Sequence, residues 1–128
     1  MRKGIRADSR KPFEAFVFDG AFDVPLTPEK AGPLAYPLEM VRWAPSAVNK
    51  QPWQVVLKGN AAHFYLKHAK GFVSEAVGDM QKIDMGIALC HFALAAEESG
   101  LDIQFSINAP EIAAESDTEY IASYLFKL

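Results

Sequence analysis

The sequence has little of what defines several common classes of protein. Its single cysteine, Cys90, cannot form a disulfide within the chain, which is typical of a protein from a reducing compartment. No stretch reaches the roughly 18 consecutive apolar residues of a membrane-spanning helix, and the N-terminus lacks the apolar segment of a signal peptide. We therefore expect a cytoplasmic protein with no membrane partner.

Positive charge and histidine are also sparse. The 13 lysines and arginines are outnumbered by 16 acidic residues, and the net charge of -3 offers no attraction for nucleic acid. None of the three histidines, His63, His68 and His91, has metal-ligand spacing to Cys90 or to a carboxylate cluster. Adjacent Cys90 and His91 would point about 100° apart on a helix, so they cannot serve as nucleophile and base. We expect these four side chains in the core and no metal site.

Glycine-rich phosphate loops are absent as well. Neither the dinucleotide-binding spacing of glycines nor the P-loop spacing occurs, which argues against nucleotide binding by those routes. Ser46 has no G-x-S-x-G context, so a nucleophile elbow is not expected. The remaining candidates for chemistry are the basic N-terminal segment and the stretch over residues 42–53.

The 128 residues, half of them hydrophobic, suit one domain over 1–128 with a basic arm at 1–12. The run "FEAFVF" predicts a short strand or an apolar anchor. Residues 23–46 hold five prolines, so we expect this span to be extended or turning until a short helix between Pro37 and Pro45. Leu38, Met40, Val41 and Trp43 would form the apolar side of that helix.

Clearer periodicity begins at Trp53. Apolar residues recur with a period of two on both sides of Gly59-Asn60, which predicts a β-hairpin with its turn at these two residues. A short helix is expected within 71–84. A long helix is expected over 82–99, apolar on nearly every face and therefore buried, either within the domain or across a subunit contact. A strand over 101–108, a marginal helix over 109–115 and a terminal strand from Thr118 complete the pattern. We predict an α+β (mixed α/β) fold: a central sheet with a long buried apolar helix.

The stretch "RWAPSAVNKQPW", residues 42–53, admits two interpretations. Pro45 stops a helix, Ser46 and Asn49 offer short polar side chains, and Pro52 forces Gln51 out of helical geometry. Such a turn can present amides and carbonyls to a small planar ligand. Alternatively, the polar side chains satisfy the backbone of their own turn while the following tryptophan packs in the core. Composition alone favours the second interpretation.

The same stretch resembles the early segment of the flavin-dependent nitroreductases, where Asn and Gln-Pro-Trp follow Pro-Ser-Ala at this spacing. The run "DMGIALCHFALAAEESGLD", residues 84–102, is similar to the long central helix of that family. The segment "SRKPFEAFVF", residues 9–18, is similar to its closing basic-proline segment. Here the closing segment precedes the opening one, an order that resembles the second half of nitroreductases built from two half-domains. We therefore expect a nitroreductase-like half-domain or fragment.

The resemblance implies FMN held at a two-fold or pseudo-two-fold interface, by a homodimer or by pairing with a missing N-terminal half. By the resemblance, Gln51 either contacts the cofactor or only supports the turn, and Asp8 stands where the family often has a cation. The segment that would contact the isoalloxazine and ribityl chain comprises Pro45, Ser46, Ala47 and Asn49, and the phosphate side would be formed by Arg10, with Lys11 adjacent.

The mechanism that the resemblance implies is ping-pong. NADH or NADPH gives a hydride to the flavin, which then reduces a small-molecule acceptor such as a nitroaromatic or a quinone. Because the flavin supplies the chemistry, no catalytic side chain is expected from the protein. The alternative, from another functional class, is a flavin-free α/β module that keeps the fold for binding or assembly.

Overall fold

The computed structural model describes residues 9–46, 50–68, 73–74 and 78–127. Two short 3-10 turns, Phe13–Ala15 and Gly32–Leu34, accompany the regular elements. The helices are α1 (Pro28–Ala31), α2 (Ala35–Arg42) and α3 (Met80–Glu98), and the strands are β1 (Val17–Asp19), β2 (Trp53–Lys58), β3 (Ala61–Lys67), β4 (Val73–Ser74), β5 (Gly78–Asp79), β6 (Asp102–Ser106) and β7 (Thr118–Lys127).

A five-stranded sheet with the order β1-β2-β3-β7-β6 forms the centre of the fold. Its β1-β2 pair is parallel and the other three pairs are antiparallel, so the central sheet that the sequence predicted contains both strand directions. The expected hairpin joins β2 to β3. Gly59 in its turn has a φ of 62°, which residues other than glycine rarely adopt. Its register pairs Trp53 with Leu66, which brings the start of β2 beside the end of β3.

The main core lies between the sheet and the helices α2 and α3. Phe64 of β3 meets Phe92 of α3 edge to face with ring centroids 5.3 Å apart, and Leu38 of α2 is fully buried in the same cluster. The neighbouring β3 residue, Tyr65, belongs to a second apolar cluster with Val56. Because side chains alternate along a strand, these two clusters lie on opposite faces of the sheet.

The sequence predictions were wrong in three short segments. Helix α1 was not expected, but Pro28 occupies its first turn, where a missing N–H costs nothing. The helix predicted within 71–84 begins only at Met80, after the paired two-residue strands β4 and β5. Residues 109–115 form no helix, because most of their side chains are exposed and they offer no apolar face to bury.

The apolar side predicted for α2 is also only partly correct. Leu38 and Val41 are buried, whereas Met40 is half-buried and Trp43 is 46% exposed. The helix ends at Arg42, and Trp43 caps it. Trp43 faces outward because it lies on the side of α2 that carries Glu39, to which its indole N–H donates a 2.8 Å hydrogen bond.

Helix α3 is the long apolar helix that the sequence predicted, and the described part of the chain buries one side of it. Met85 and Phe92 are inaccessible, but Ile83 is 61% exposed and Leu94 is 63% exposed. Cys90 lies on this exposed side and is not a core residue. Cys90 follows Ile83 by seven residues, and Leu94 follows Cys90 by four. These spacings place the three exposed residues on one face of the helix, opposite the sheet. The reducing, cytoplasmic location inferred from this cysteine stays a prediction.

The histidines occupy different environments. His63 is buried, as expected, and its Nδ1 lies 2.6 Å from the Ser123 hydroxyl. His68 and His91 are only half-buried, so the core prediction was wrong for them. Within the described ranges, no cluster of potential metal ligands forms, and no helix is both long and apolar enough to cross a membrane.

Candidate functional site

The site begins at the turn that follows α2. Pro45 is exposed and Ser46 is half-buried. Two of the predicted cofactor-binding residues, Ala47 and Asn49, lie outside the described residues. Gln51 has a φ of 51°, in the left-handed region that residues other than glycine seldom occupy. This conformation lets the chain reverse direction before Pro52 and enter β2.

Ser46 stabilises that conformation directly. The backbone N–H of Gln51 donates a 2.9 Å hydrogen bond to the Ser46 hydroxyl oxygen. A short polar side chain that bonds the backbone of its own turn is a common way to hold a reversal. Ser46 therefore satisfies the backbone of its own turn, which was one of the two interpretations of the sequence. As the acceptor in this bond, the hydroxyl keeps its own proton to donate elsewhere.

The Gln51 side chain joins the turn to the N-terminal arm, here Ser9 to Pro12. Its Oε1 accepts a 2.8 Å hydrogen bond from the backbone N–H of Lys11, and its Nε2 donates to the Ser9 carbonyl at 3.3 Å. The residue is only 6% exposed, so both bonds are shielded from water. Two segments about forty residues apart are thus held together by one carboxamide.

Arg10 lies on the outer side of this junction, against Trp43. Its guanidinium carbon is 5.3 Å from the centre of the indole ring, a cation–π distance, and its Nη2 donates to the Trp43 carbonyl at 3.3 Å. Arg42 packs on the same ring at 5.2 Å and donates from Nε to the Lys11 carbonyl at 2.8 Å. Both arginines therefore pack on the same indole ring, and together they fix the arm to the end of α2.

A cavity of about 160 Å³ opens on the inner side of the junction. Its lining combines the arm, the turn, the start of β2, the end of β3 and the start of α3, and Arg10 is not part of it. Three lysines reach this cavity, one from the arm, one from the turn and one from β3. The lining residues are Lys11, Ala15, Phe16, Lys50, Gln51, Pro52, Trp53, Gln54, Lys67, His68 and Gln81.

The electrostatic environment of the cavity is positive. Partial burial, followed by the neighbouring charges of Lys67 and Lys50, lowers the pKa of the Lys11 ammonium group. The same group donates to the Gln51 carbonyl at 3.4 Å. The charge of Lys11 is therefore held close to two like charges within a partly desolvated space.

A negative charge lies at one edge of the cavity but is already paired. Glu119 of β7 accepts a hydrogen bond from His68 Nε2 at 2.8 Å and forms an ion pair with Lys82 at 3.3 Å. The bond from His68 is the main cause that lowers the pKa of Glu119, and Lys82 adds to it. Among the described contacts, this carboxylate is engaged by His68 and Lys82 and pairs with none of the three lysines of the cavity.

The sequence analysis gave no role to Lys50 or Lys67 and placed His68 in the core. The hairpin register could have indicated Lys67 and His68, because a two-residue turn at Gly59-Asn60 fixes which residues face each other at the far end. In the structure, the N–H of Lys67 donates to the Pro52 carbonyl at 2.9 Å. The predicted site residues Arg10, Lys11, Ser46 and Gln51 do come together, but with Arg10 outside the cavity.

The cavity suits binding better than acid–base or nucleophilic chemistry. Lysine ammonium groups and the rigid Pro52-Trp53 wall can hold and orient a ligand. Among the described lining residues, none forms a pair of nucleophile and base, since His68 is bonded to Glu119 and lies beside no serine or cysteine in the lining.

Comparison with family models gives one family, and comparison with solved structures gives one fold. The sequence model of the family described as "Putative TM nitroreductase" matches residues 2–96. A nitroreductase family protein from Clostridium difficile superposes with a TM-score of 0.58 at 20% identity, over 94% of this chain and 80% of that one. An oxidoreductase containing FMN superposes with a TM-score of 0.53 at 20% identity, over 98% of this chain and 81% of its own.

A third structure, a "putative nitroreductase" from Thermotoga maritima, has a TM-score of 0.52 at 22% identity. It is matched over 92% of this chain but only 41% of its own, so the present chain spans about two fifths of that protein. No curated protein matches the chain in sequence. The structural likenesses confirm the predicted fold class, and the family model covers more than half of the chain.

Proposed function

This chain belongs to the family described as "Putative TM nitroreductase", and from that membership we propose that it is an FMN-dependent oxidoreductase of nitroreductase type. It would take a hydride from NADH or NADPH and reduce a nitroaromatic, a quinone or a similar small acceptor. The observation that carries this proposal is the junction made by Gln51. It joins the turn over 42–53 to the Ser9–Lys11 segment, the two segments that resemble the flavin-holding parts of the family.

The residues present fit one end of FMN. Cationic side chains suit a phosphate, and the turn offers backbone groups to a planar ring. A cavity of about 160 Å³ is large enough for a phosphate with some of its water. We propose that the flavin rings lie against a further surface and that a second polypeptide supplies it.

Bound FMN would supply the hydride acceptor and donor, and the chain's own residues would position it. Gln51 would fix the turn through its two buried hydrogen bonds, so that Pro45, Ser46, Ala47 and Asn49 face the flavin. Lys11 would stand on the phosphate side of the turn, and Arg10 would fix the arm from the outer side of the junction, against Trp43. Pro52 and Trp53 would close the inner wall of the site and exclude water from it.

The second polypeptide would dock on the exposed face of α3. Ile83, Cys90 and Leu94 form an apolar strip on this helix that contacts no other described element closely enough to be buried. A two-fold dimer would bury this strip against its own copy. Pairing with a separate N-terminal half-domain is the other arrangement that the length relative to the Thermotoga protein supports.

One observation favours the alternative function, a flavin-free module used for binding or assembly. Arg10 is bonded to Ser9 and Trp43, and the Ser46 hydroxyl accepts from Gln51. Two residues expected to contact a cofactor are thus already used to hold the fold. In this alternative the turn would stabilise the arm and nothing more.

Steady-state oxidation of NADH and NADPH distinguishes the two functions. The purified chain is incubated with FMN and either a quinone or a nitroaromatic, with free FMN alone as the control. A ping-pong flavoenzyme is expected to oxidise the reductant at a rate that rises with protein concentration. Double-reciprocal plots against one substrate, at several fixed concentrations of the other, should then give parallel lines. Turnover no faster than that of free FMN, with both reductants and both acceptors, would support the flavin-free module.

A further inference from the structure

A row of hydrogen bonds joins β3 and β7 to the segment that follows β6. The Nδ1 atom of His63 lies 2.6 Å from the Ser123 hydroxyl, which lies 2.7 Å from the hydroxyl of Tyr120. The Tyr120 oxygen accepts the backbone N–H of Asn108 at 3.0 Å. His63 and Ser123 are buried, so the row begins in a space shielded from water. We call these four groups the hydroxyl relay.

Asn108 belongs to the connection between β6 and β7, residues 107–117, which we call the strap. Ile112 of the strap packs against the second apolar cluster of the sheet, which contains Tyr65 and Tyr120. These two rings meet edge to face with their centroids 5.6 Å apart. Most other side chains of the strap are exposed. The first part of the strap is therefore held on the sheet mainly by one isoleucine and by the bond from Asn108.

The far end of the strap is held in a different way. The Asp117 carbonyl accepts the N–H of His68 at 2.8 Å, and the N–H of Thr118 donates to the Glu115 carbonyl at 3.0 Å. These bonds join backbone groups, which do not gain or lose protons near neutral pH. The bond of Asn108 differs, because it leads through two hydroxyl groups to a histidine, the side chain that titrates in this range.

The protonation state of His63 decides the direction of the hydroxyl relay. With a neutral Nδ1, every hydrogen has an acceptor: Asn108 donates to Tyr120, Tyr120 to Ser123, and Ser123 to the imidazole. A protonated imidazole carries a hydrogen on both nitrogens, so its Nδ1 must donate to Ser123, and the Ser123 hydroxyl must turn to Tyr120. The Tyr120 oxygen then receives two donors while its own hydrogen loses its acceptor, which weakens the bond from Asn108.

The surroundings of the imidazole favour its neutral form at pH 7. Burial is the main cause that lowers the pKa of His63, and the positive charge of Lys58 on β2 adds to it. On β3 and β7 the titratable neighbours are the phenol groups of Tyr65 and Tyr120. The strap carries three carboxylates, all exposed, and among the described contacts none of them bonds the imidazole: Glu111, Glu115 and Asp117.

We propose that protonation of His63 releases the first part of the strap from the sheet. The strap opens at Asn108 and stays attached at Asp117, and the aromatic rings under Ile112 become accessible to solvent. None of the residues of the hydroxyl relay lines the cavity, so the opening of the strap does not require the proposed flavin function.

Nuclear magnetic resonance of the whole chain between pH 7.5 and about pH 5 follows the two ends of the relay separately. The Asn108 amide signal should move with the same midpoint as the His63 ring. Its protection from hydrogen exchange, corrected for the intrinsic rate at each pH, should fall by about fivefold or more, the equivalent of one net hydrogen bond. The Thr118 amide at the far end should keep its protection. A His63 ring that stays neutral throughout, or an Asn108 amide that does not follow it, would overturn the proposal.

Two conservative substitutions distinguish the relay from a general loosening of the fold in acid. S123A interrupts the relay but leaves Tyr120 as an acceptor, so the Asn108 amide should stay protected at both ends of the pH range. Y120F removes the acceptor, so protection should be low at both ends. The controls S116A, at an exposed serine of the strap, and Y36F, whose hydroxyl bonds Glu98, should keep the wild-type response. An Asn108 amide that still follows the His63 midpoint in S123A and in Y120F would contradict the relay.

Discussion

The backbone N–H of Gln51 donates to the Ser46 hydroxyl at 2.9 Å, across a turn in which Gln51 has a φ of 51°. One short side chain thus holds a neighbour in a conformation that it would otherwise avoid. The Gln51 carboxamide then holds the N-terminal arm, with bonds to Lys11 and Ser9. The shape of the candidate site therefore depends on a chain of contacts from Ser46 through Gln51 to the arm.

Replacing Ser46 by alanine should destabilise this turn. The Gln51 N–H would lose its acceptor in a shielded position, which costs about 1 to 3 kcal/mol of unfolding free energy. Urea unfolding of S46A measures the loss, and S116A, at an exposed serine in another turn, is the matched control. Equal midpoints for S46A and the wild type would mean that the bond contributes nothing to stability.

The positive φ of Gln51 gives a second prediction. Q51A and Q51G both remove the two side-chain bonds to the arm, but glycine adopts a φ of 51° without the steric cost that alanine pays. Q51G should therefore be more stable than Q51A by about 1 kcal/mol, although both are less stable than the wild type. Unfolding midpoints give the order, and a lower midpoint for Q51G than for Q51A would refute the argument.

The exposed strip on α3 gives a prediction about association. Leu94 is 63% exposed, so L94K should leave the fold of one chain intact while placing a charge in the proposed interface. Light scattering should give the molar mass of a dimer for the wild type and the molar mass of a monomer for L94K. L125K, at a partly exposed leucine of the sheet, is the control and should remain dimeric. A wild-type chain that stays monomeric at high concentration would contradict the dimer.

The buried histidine predicts a pH dependence of stability. Burial, and to a lesser extent the charge of Lys58, lowers the pKa of His63 below its usual 6.5. The unfolded chain therefore binds a proton in a pH range where the folded chain does not, and stability falls as pH falls below 6.5. The slope from this one group cannot exceed about 1.4 kcal/mol per pH unit.

Urea unfolding of the wild type and H63Q between pH 7.5 and 5.5 checks this sign. The wild type should lose more stability on acidification than H63Q, whose amide does not titrate. Glu119 contributes in the same direction but only near and below its usual pKa of 4.5, outside this window. Parallel curves for the two proteins would show that His63 carries no such linkage.

Strong local patterns predicted most of the fold. The hairpin at Gly59-Asn60, helix α3, strand β6 and strand β7 all have a clear period and a recognisable end, and each is present. Strands β4 and β5 have two residues each, too few to show any period. The exposure of Cys90 could not be predicted from the sequence either, because the pattern of a helix that is apolar on nearly every face does not indicate which face the sheet covers.

The candidate site was predicted in part, and by resemblance more than by pattern. The arm and the turn were both singled out, and the structure brings Lys11 and Gln51 within 2.8 Å. Nothing in the local sequence predicted that Arg10 stacks on Trp43, because that contact depends on how the arm crosses the end of α2. The cofactor roles of all the predicted site residues stay predictions, and Ala47 and Asn49 lie outside the described residues.

The most direct test of the flavin site is a visible absorption spectrum of the purified chain, taken before and after incubation with FMN and removal of unbound FMN. S46A, which weakens the turn, serves as the comparison. We predict that the wild type retains a flavin band in proportion to its dimeric fraction and that S46A retains less. A wild-type spectrum without a flavin band at concentrations where the chain is dimeric would contradict the proposal that this chain builds a flavin site.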